Sequence, residues 1–158
     1  GLQVKDLKIN TKLPQVVYST NPIRRMDKDG LERAVPLLTP VLKTLRQYEL
    51  PTDPNAAAFP KYGSTNGLDA VSMKTQSVLR TNAEINDPSV TPYSARHTFK
   101  DRSAKAQIPR EIAEYIMGHV GKDSSKIHDK YGTATPPEVI FEYMEQVYSN
   151  MDWGYYRD

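Results

Sequence analysis

Proline decides how long any element of this chain can run. Each of its twelve prolines locks φ at about −65° and removes an amide donor, so helices stop and strands stay short around them. Pro51, Pro54 and Pro60, together with Gly63 and Gly67, make residues 51–67 a loop. Pro109 suits the first turn of a helix, and Pro136 with Pro137 opens another. Short helices separated by turns, with few β-branched stretches, define the class. The expectation is an α+β protein, mostly α-helical, with a small antiparallel β-sheet near the N-terminus.

The elements follow from periodicity. Residues 15–20, QVVYST, are β-branched and aromatic and read as a strand; 32–37, ERAVPL, reads as its partner. NPIRRMDKDG between them carries the turn residues Asp27, Asp29 and Gly30, so the pair forms an antiparallel hairpin with a basic shoulder. The opening GLQVKDLKIN enters a strand almost at once and lacks an initiator methionine, so further sequence is expected upstream of Gly1. Leu38, Val41, Leu42 and Leu45 recur at helical spacing until Pro51 ends that helix. A helix over 68–82 has Val71, Thr75, Val78 and Leu79 as its inner stripe. NDPSVTPYS breaks it, and Ser94 is the candidate N-cap for ARHTFKDRSAKA. IPREIAEYIMGH then turns Ile112, Tyr115 and Ile116 inward and ends at Gly118. VGKDSSKIHDKYG is polar, with room for a short helix before Gly132. The last helix has Val139, Ile140, Tyr143, Met144, Val147 and Tyr148 on one stripe.

Composition excludes several function classes. A chain of 158 residues, 38% hydrophobic and 25% charged, is one domain's worth with a real core. It has no apolar run of membrane-spanning length and no leader pattern. Zero cysteines exclude disulfides and thiolate zinc, which fits a reducing cytosol. A metal site built from His97, His119 and His128 has no familiar ligand spacing. The net charge of +2 gives no general basic field, so a case for nucleic acid must rest on local residues.

Four local signals remain: Arg96-His97, Gly118-His119, Tyr131 in KIHDKYG, and the hairpin cations. Singly, each has an ordinary reading. Arg96 suits a surface ion pair, His119 a helix C-terminus, Tyr131 a half-buried aromatic, and the hairpin charges a guarded sheet edge. Together they form a pattern. YSARHTFKDRSAKAQIPREIAEYIMGH is followed by Tyr131, with 23 residues from Arg96 to His119 and 12 more to Tyr131.

That pattern resembles the catalytic domain of the tyrosine recombinases, the phage-integrase family. The members carry an arginine in an R-H-T-F stretch, a histidine in an L-G-H stretch and a later tyrosine. The opening segment and ERAVPL resemble what precedes that site, so the likeness covers nearly the whole chain. It implies a DNA breaking-rejoining fold and site-specific recombination or integration of a mobile element, with no ATP and no metal or nucleotide cofactor. Tyr131 would be the nucleophile, Arg96 a phosphate clamp, and His119 a donor to the phosphate or a manager of the tyrosine proton. Tyr93 stands where the family usually has a histidine. The hairpin lysine counts back to Asp27 in one common pattern, and the adjacent Lys28 is the residue taken for it. Arg24 and Arg25 would touch backbone phosphates. His97 is expected to pack, not to react.

The resemblance also sets the partners and the limits. Double-stranded DNA is the implied partner, with other recombinase subunits met through the C-terminal helix, no membrane, and a cytoplasmic, nucleoid-associated setting in a bacterium or phage. Residues 1–135 would be the catalytic domain, and 136–158 a C-terminal helix and tail that dock. The family's first arginine belongs upstream of Gly1, so little turnover is expected from these 158 residues alone. The alternative is a degenerate DNA-binding or regulatory relic of the same fold. A type IB topoisomerase shares the chemistry but fits the short IMGH link less well.

Overall fold

The structure, a computed structural model, describes residues 1–22, 24, 32–63, 67–119 and 135–149. It is mixed: a small three-stranded antiparallel sheet near the start, then helices. The strands are β1 (Leu7–Lys8), β2 (Gln15–Tyr18) and β3 (Arg33–Pro36), in the order β1-β2-β3. The helices are α1 (Thr39–Arg46), α2 (Gly67–Thr81), α3 (Ser94–Lys105), α4 (Arg110–Met117) and α5 (Pro137–Ser149). No helix among the described residues is long and apolar enough to cross a membrane.

The hairpin forms where β-branched residues place it. Val16 pairs with Val35 and Tyr18 with Arg33. The opening segment is less regular than a strand. Val4–Asp6 is one 3₁₀ turn in which Asp6 accepts from the Gln3 amide at 3.0 Å, and only Leu7–Lys8 extend. Leu7, Val16, Leu37 and Ala58 bury one core beneath the sheet, with Leu42 and Leu45 of α1 packed on it.

A second core lies among the C-terminal helices. Ala106, Ile108, Ile112, Ala113 and Val147 are buried there, with Phe99, Ile116 and Tyr143 against them. The stripe read on the last helix is the one that packs: Ile140 is 1% exposed and Val147 5%. α5 runs against β3 and α3, and its Ile140, Tyr143 and Val147 pack within the chain. Tyr115 stitches α4 to the sheet by accepting the Ala34 amide hydrogen at 3.2 Å.

Three helix boundaries differ from the sequence reading. α1 stops at Arg46, well before Pro51, because its carbonyls close into a tight last turn at Gln47 and Tyr48; Val41 is left 47% exposed. In α2, Val71 and Val78 are each 40% exposed. Only Thr75 and Leu79 of its stripe face inward, across an apolar groove of about 510 Å³ bordered by Phe99 and Val147. Gly67 starts α2 because the Tyr62 backbone leaves no room for a Cβ. Ser94 is not the N-cap of α3. It is the first helical residue, Tyr93 caps without a side-chain bond, and the Ser94 hydroxyl accepts from Thr91 N–H at 3.0 Å.

Two devices set how α3 enters and leaves. Arg80 donates to the carbonyls of Ile85, Asp87 and Val90, so one guanidinium fastens the loop that delivers α3. Arg80→Ala should therefore cost about 1.5–3 kcal/mol, since it removes several charge-assisted bonds at once. Thermal melts check the loss, and faster amide exchange across 85–92 locates it. At the other end Gln107 takes φ 55 and Ile108 donates to Ser103 at 2.9 Å, closing α3 before Pro109 begins α4. This is the break read from AQIP.

Candidate functional site

α3 and α4 cross so that Arg96 meets the end of α4. Arg96 lies in the first turn of α3, where its side chain reaches the α4 C-terminus. Its Nη1 donates to the Met117 carbonyl at 2.9 Å, and its Nε donates to His119 Nε2 at 3.1 Å. Nη2 has no hydrogen bond to any described residue, so the fork is anchored on one side and open on another. The amides beneath it are not open. Ser94, Ala95 and Arg96 donate to the carbonyls of Thr91, Pro92 and Tyr93, because the TPY turn winds straight into the helix. A phosphate here would be held by the side chain and not by a cradle of free helix amides.

His119 is aimed by the turn before it. Gly118 sits at φ 69, a left-handed conformation that glycine adopts without strain. Its amide donates to Tyr115 at 3.0 Å and that of His119 donates to Glu114 at 2.8 Å, which fixes the histidine backbone. His119 Nε2 accepts from Arg96, so the neutral imidazole carries its proton on Nδ1. Desolvation, and then the positive charge of Arg96, hold the imidazole below its ordinary 6.5; Glu114 pulls upward and Lys100 adds to the lowering. A groove of about 360 Å³ opens beside it, bordered by Lys100, Arg110, Glu114 and Met117.

These shifts have a sign that can be measured. The folded protein holds the His119 proton less tightly than the unfolded chain does. The stability it contributes is thus full above pH 6.5 and falls as pH drops through that value. Titration of the His119 ring protons by NMR should give a midpoint below 6.5, and Arg96→Gln should raise it by removing both the charge and the bond to Nε2.

The other sequence candidates divide. Tyr93 is 61% exposed, and its ring meets His97 edge-on at 5.2 Å, while its hydroxyl touches no described residue. His97 packs, as expected, on that ring. Arg24 is held against the sheet. Its side chain is 12% exposed, pairs with Asp6 at 3.4 Å, and donates to the Ser19 carbonyl through Nε at 2.9 Å and through Nη2. The Asn21–Arg24 bridge folds it back onto the sheet, where Asp6 and the Ser19 carbonyl take up its charge. Arg25, Lys28 and Tyr131 lie outside the described residues, as does His128. Among the described residues no group of three His, Cys, Asp or Glu side chains could hold a metal ion.

Two contributors were missed by sequence reasoning. Lys100 borders the groove beside His119, one turn beyond Arg96. Arg33 of β3 packs against Gly118 and lies within reach of the positive charge of Arg96. The R-H-T-F stretch held a hint of Lys100, since the i,i+4 spacing from Arg96 puts both on one helix face. No family model matches the chain, and no curated protein or solved structure matches it.

Proposed function

We propose that the chain is the catalytic part of a tyrosine-type site-specific recombinase, which cuts and rejoins DNA strands without ATP. The supporting observation is the Arg96 Nε–His119 Nε2 contact at 3.1 Å, which joins two residues 23 apart in sequence. Both belong to motifs whose resemblance requires them at one phosphate. In the reaction the hydroxyl oxygen of Tyr131 gives up its proton to solvent and attacks a phosphodiester phosphorus, the bond to the 5′-oxygen breaks, and that oxygen, protonated as it departs, leaves as a hydroxyl. A 3′-phosphotyrosine remains, keeping the bond energy for attack by another strand's 5′-hydroxyl. Arg96 stabilises the charge gathering on the non-bridging oxygens through its open edge, where a planar fork fits better than a point charge. Neutral His119 presents Nδ1–H to a phosphate oxygen. Lys28 would deliver the proton to the leaving oxygen, and other copies of the chain on double-stranded DNA would supply the partner strands, in the cytoplasm.

A second reading is a DNA-binding relic of the same fold. It is favoured by Tyr93, whose ring turns to His97 instead of to the Arg96–His119 pair. The two readings part in one experiment. In the recombinase, Arg96→Ala lowers formation of a denaturant-resistant adduct with nicked duplex far more than it lowers duplex affinity; in the relic, affinity alone changes. In both, binding weakens steeply with salt.

A further inference from the structure

Arg33 carries a charge that no described carboxylate balances. It faces Tyr18 across the β2–β3 register, and its guanidinium lies 4.4 Å from the centre of the Tyr18 ring. Its Nε is buried without a hydrogen-bond partner. Its outer atoms lie so close to Gly118 that a Cβ there would stand 2.6 Å from Nη1. Burial draws the guanidinium below its ordinary basicity. Among the described residues the charged groups acting on it are Tyr18, Tyr115, Arg96 and Arg24, with no carboxylate. Arg24 already has Asp6 at 3.4 Å, whereas Arg33 has no counter-charge among the described residues.

A half-buried cation beside other cations costs free energy unless an anion completes it. The place where it lies is specific. Arg96 holds the Met117 carbonyl and Arg33 covers the next residue, Gly118, so the two guanidinium groups flank a single turn that ends at His119. Glycine at 118 answers two demands at once, the left-handed backbone and the closeness of Arg33.

We infer that Arg33 is a second anion-contacting residue of the Arg96–His119 site, placed by Tyr18 and admitted by Gly118 so that two arginines share one phosphoryl group. This rests on reading that site as phosphate-binding. The ligand is a phosphoryl oxyanion, whether free phosphate or a backbone phosphodiester. Tyr18 holds the guanidinium over its ring without taking any of its N–H donors, since a cation–π contact is made through the ring face.

The test uses the isotope-labelled 158-residue chain and follows arginine Nε–H signals by NMR, assigned through Arg33→Lys and Arg96→Lys. Inorganic phosphate is added at constant ionic strength, and a short DNA duplex in a second series. Both signals should move, saturating at the same concentration. Arg33→Gln should weaken duplex binding about tenfold, the size of one lost charge-assisted contact, and make its salt slope shallower by about one. An Arg33 signal that stays fixed while that of Arg96 moves, with Arg33→Gln binding duplex like the parent, overturns the inference and leaves the DNA reading standing. Phosphate moving both signals without any duplex binding upholds the shared anion site and removes the DNA reading. If neither ligand moves either signal, both fall.

Discussion

Arg96→Ala should lower strand cleavage by about 10²–10³-fold, which is ~3–4 kcal/mol of barrier, the usual loss when one preorganised donor to a developing oxyanion is removed. Duplex affinity should fall far less, because a single phosphate contact is one among several. The separation follows from the geometry. Nε and Nη1 are spent on His119 and Met117, so the guanidinium is held in place before any ligand arrives, and Nη2, unbonded among the described residues, would bond charge that grows only during the proposed reaction. Arg96→Lys supplies the control. It keeps the charge but has one nitrogen where three are in use, so affinity should stay near that of the parent while cleavage falls almost as far as in the alanine variant. A melt of each variant separates the small cost of losing the Met117 bond, about 1 kcal/mol, from the catalytic effect. Equal losses in affinity and cleavage would make Arg96 a binding residue only.

Tyr131→Phe should remove covalent capture altogether while leaving binding of duplex intact. The change deletes the attacking oxygen and keeps the ring. Tyrosine is a poor nucleophile at its ordinary pKa of about 10, so the reaction depends on a nearby acceptor and on a phosphate already neutralised by arginine. Of the other tyrosines, Tyr143 packs against the second core. Tyr93 is the most exposed near the site, with its ring on His97. Adduct that survives in Tyr131→Phe would direct attention to Tyr93 first and to the α5 tyrosines after it.

What could be read in advance was whatever depends on local spacing. The α5 stripe is legible because Ile140 and Val147 recur at helical period and both find the core. Gly118 is legible because only a helix end needs it there, and the QVVY and RAVP strands pair as their β-branched residues suggest. The encounter of Arg96 with His119 came through family resemblance, not through any spacing rule, since 23 residues separate them across a helix break.

What could not be read depends on contacts made at a distance. Arg24 beside Arg25 looks like a solvated pair until the Asn21–Arg24 bridge turns it onto Asp6. Arg33 looks like an ordinary edge charge, and only its register opposite Tyr18 and its closeness to Gly118 give it a role. α2 shows the reverse error. Its apolar stripe is real, but α3 does not press against it, so Val71 and Val78 stay exposed beside a groove. Periodicity shows which face could be buried and says nothing of whether a partner arrives.

The most direct measurement is to incubate the protein, expressed from its complete reading frame, with a pool of nicked duplexes, denature it, and map any nucleotide-bearing peptide by mass spectrometry. The account predicts a phosphotyrosyl adduct on Tyr131, absent in Tyr131→Phe and reduced about 10²–10³-fold in Arg96→Ala. Tight duplex binding with no adduct on any tyrosine would contradict it and leave a DNA-binding module built on the same arginine.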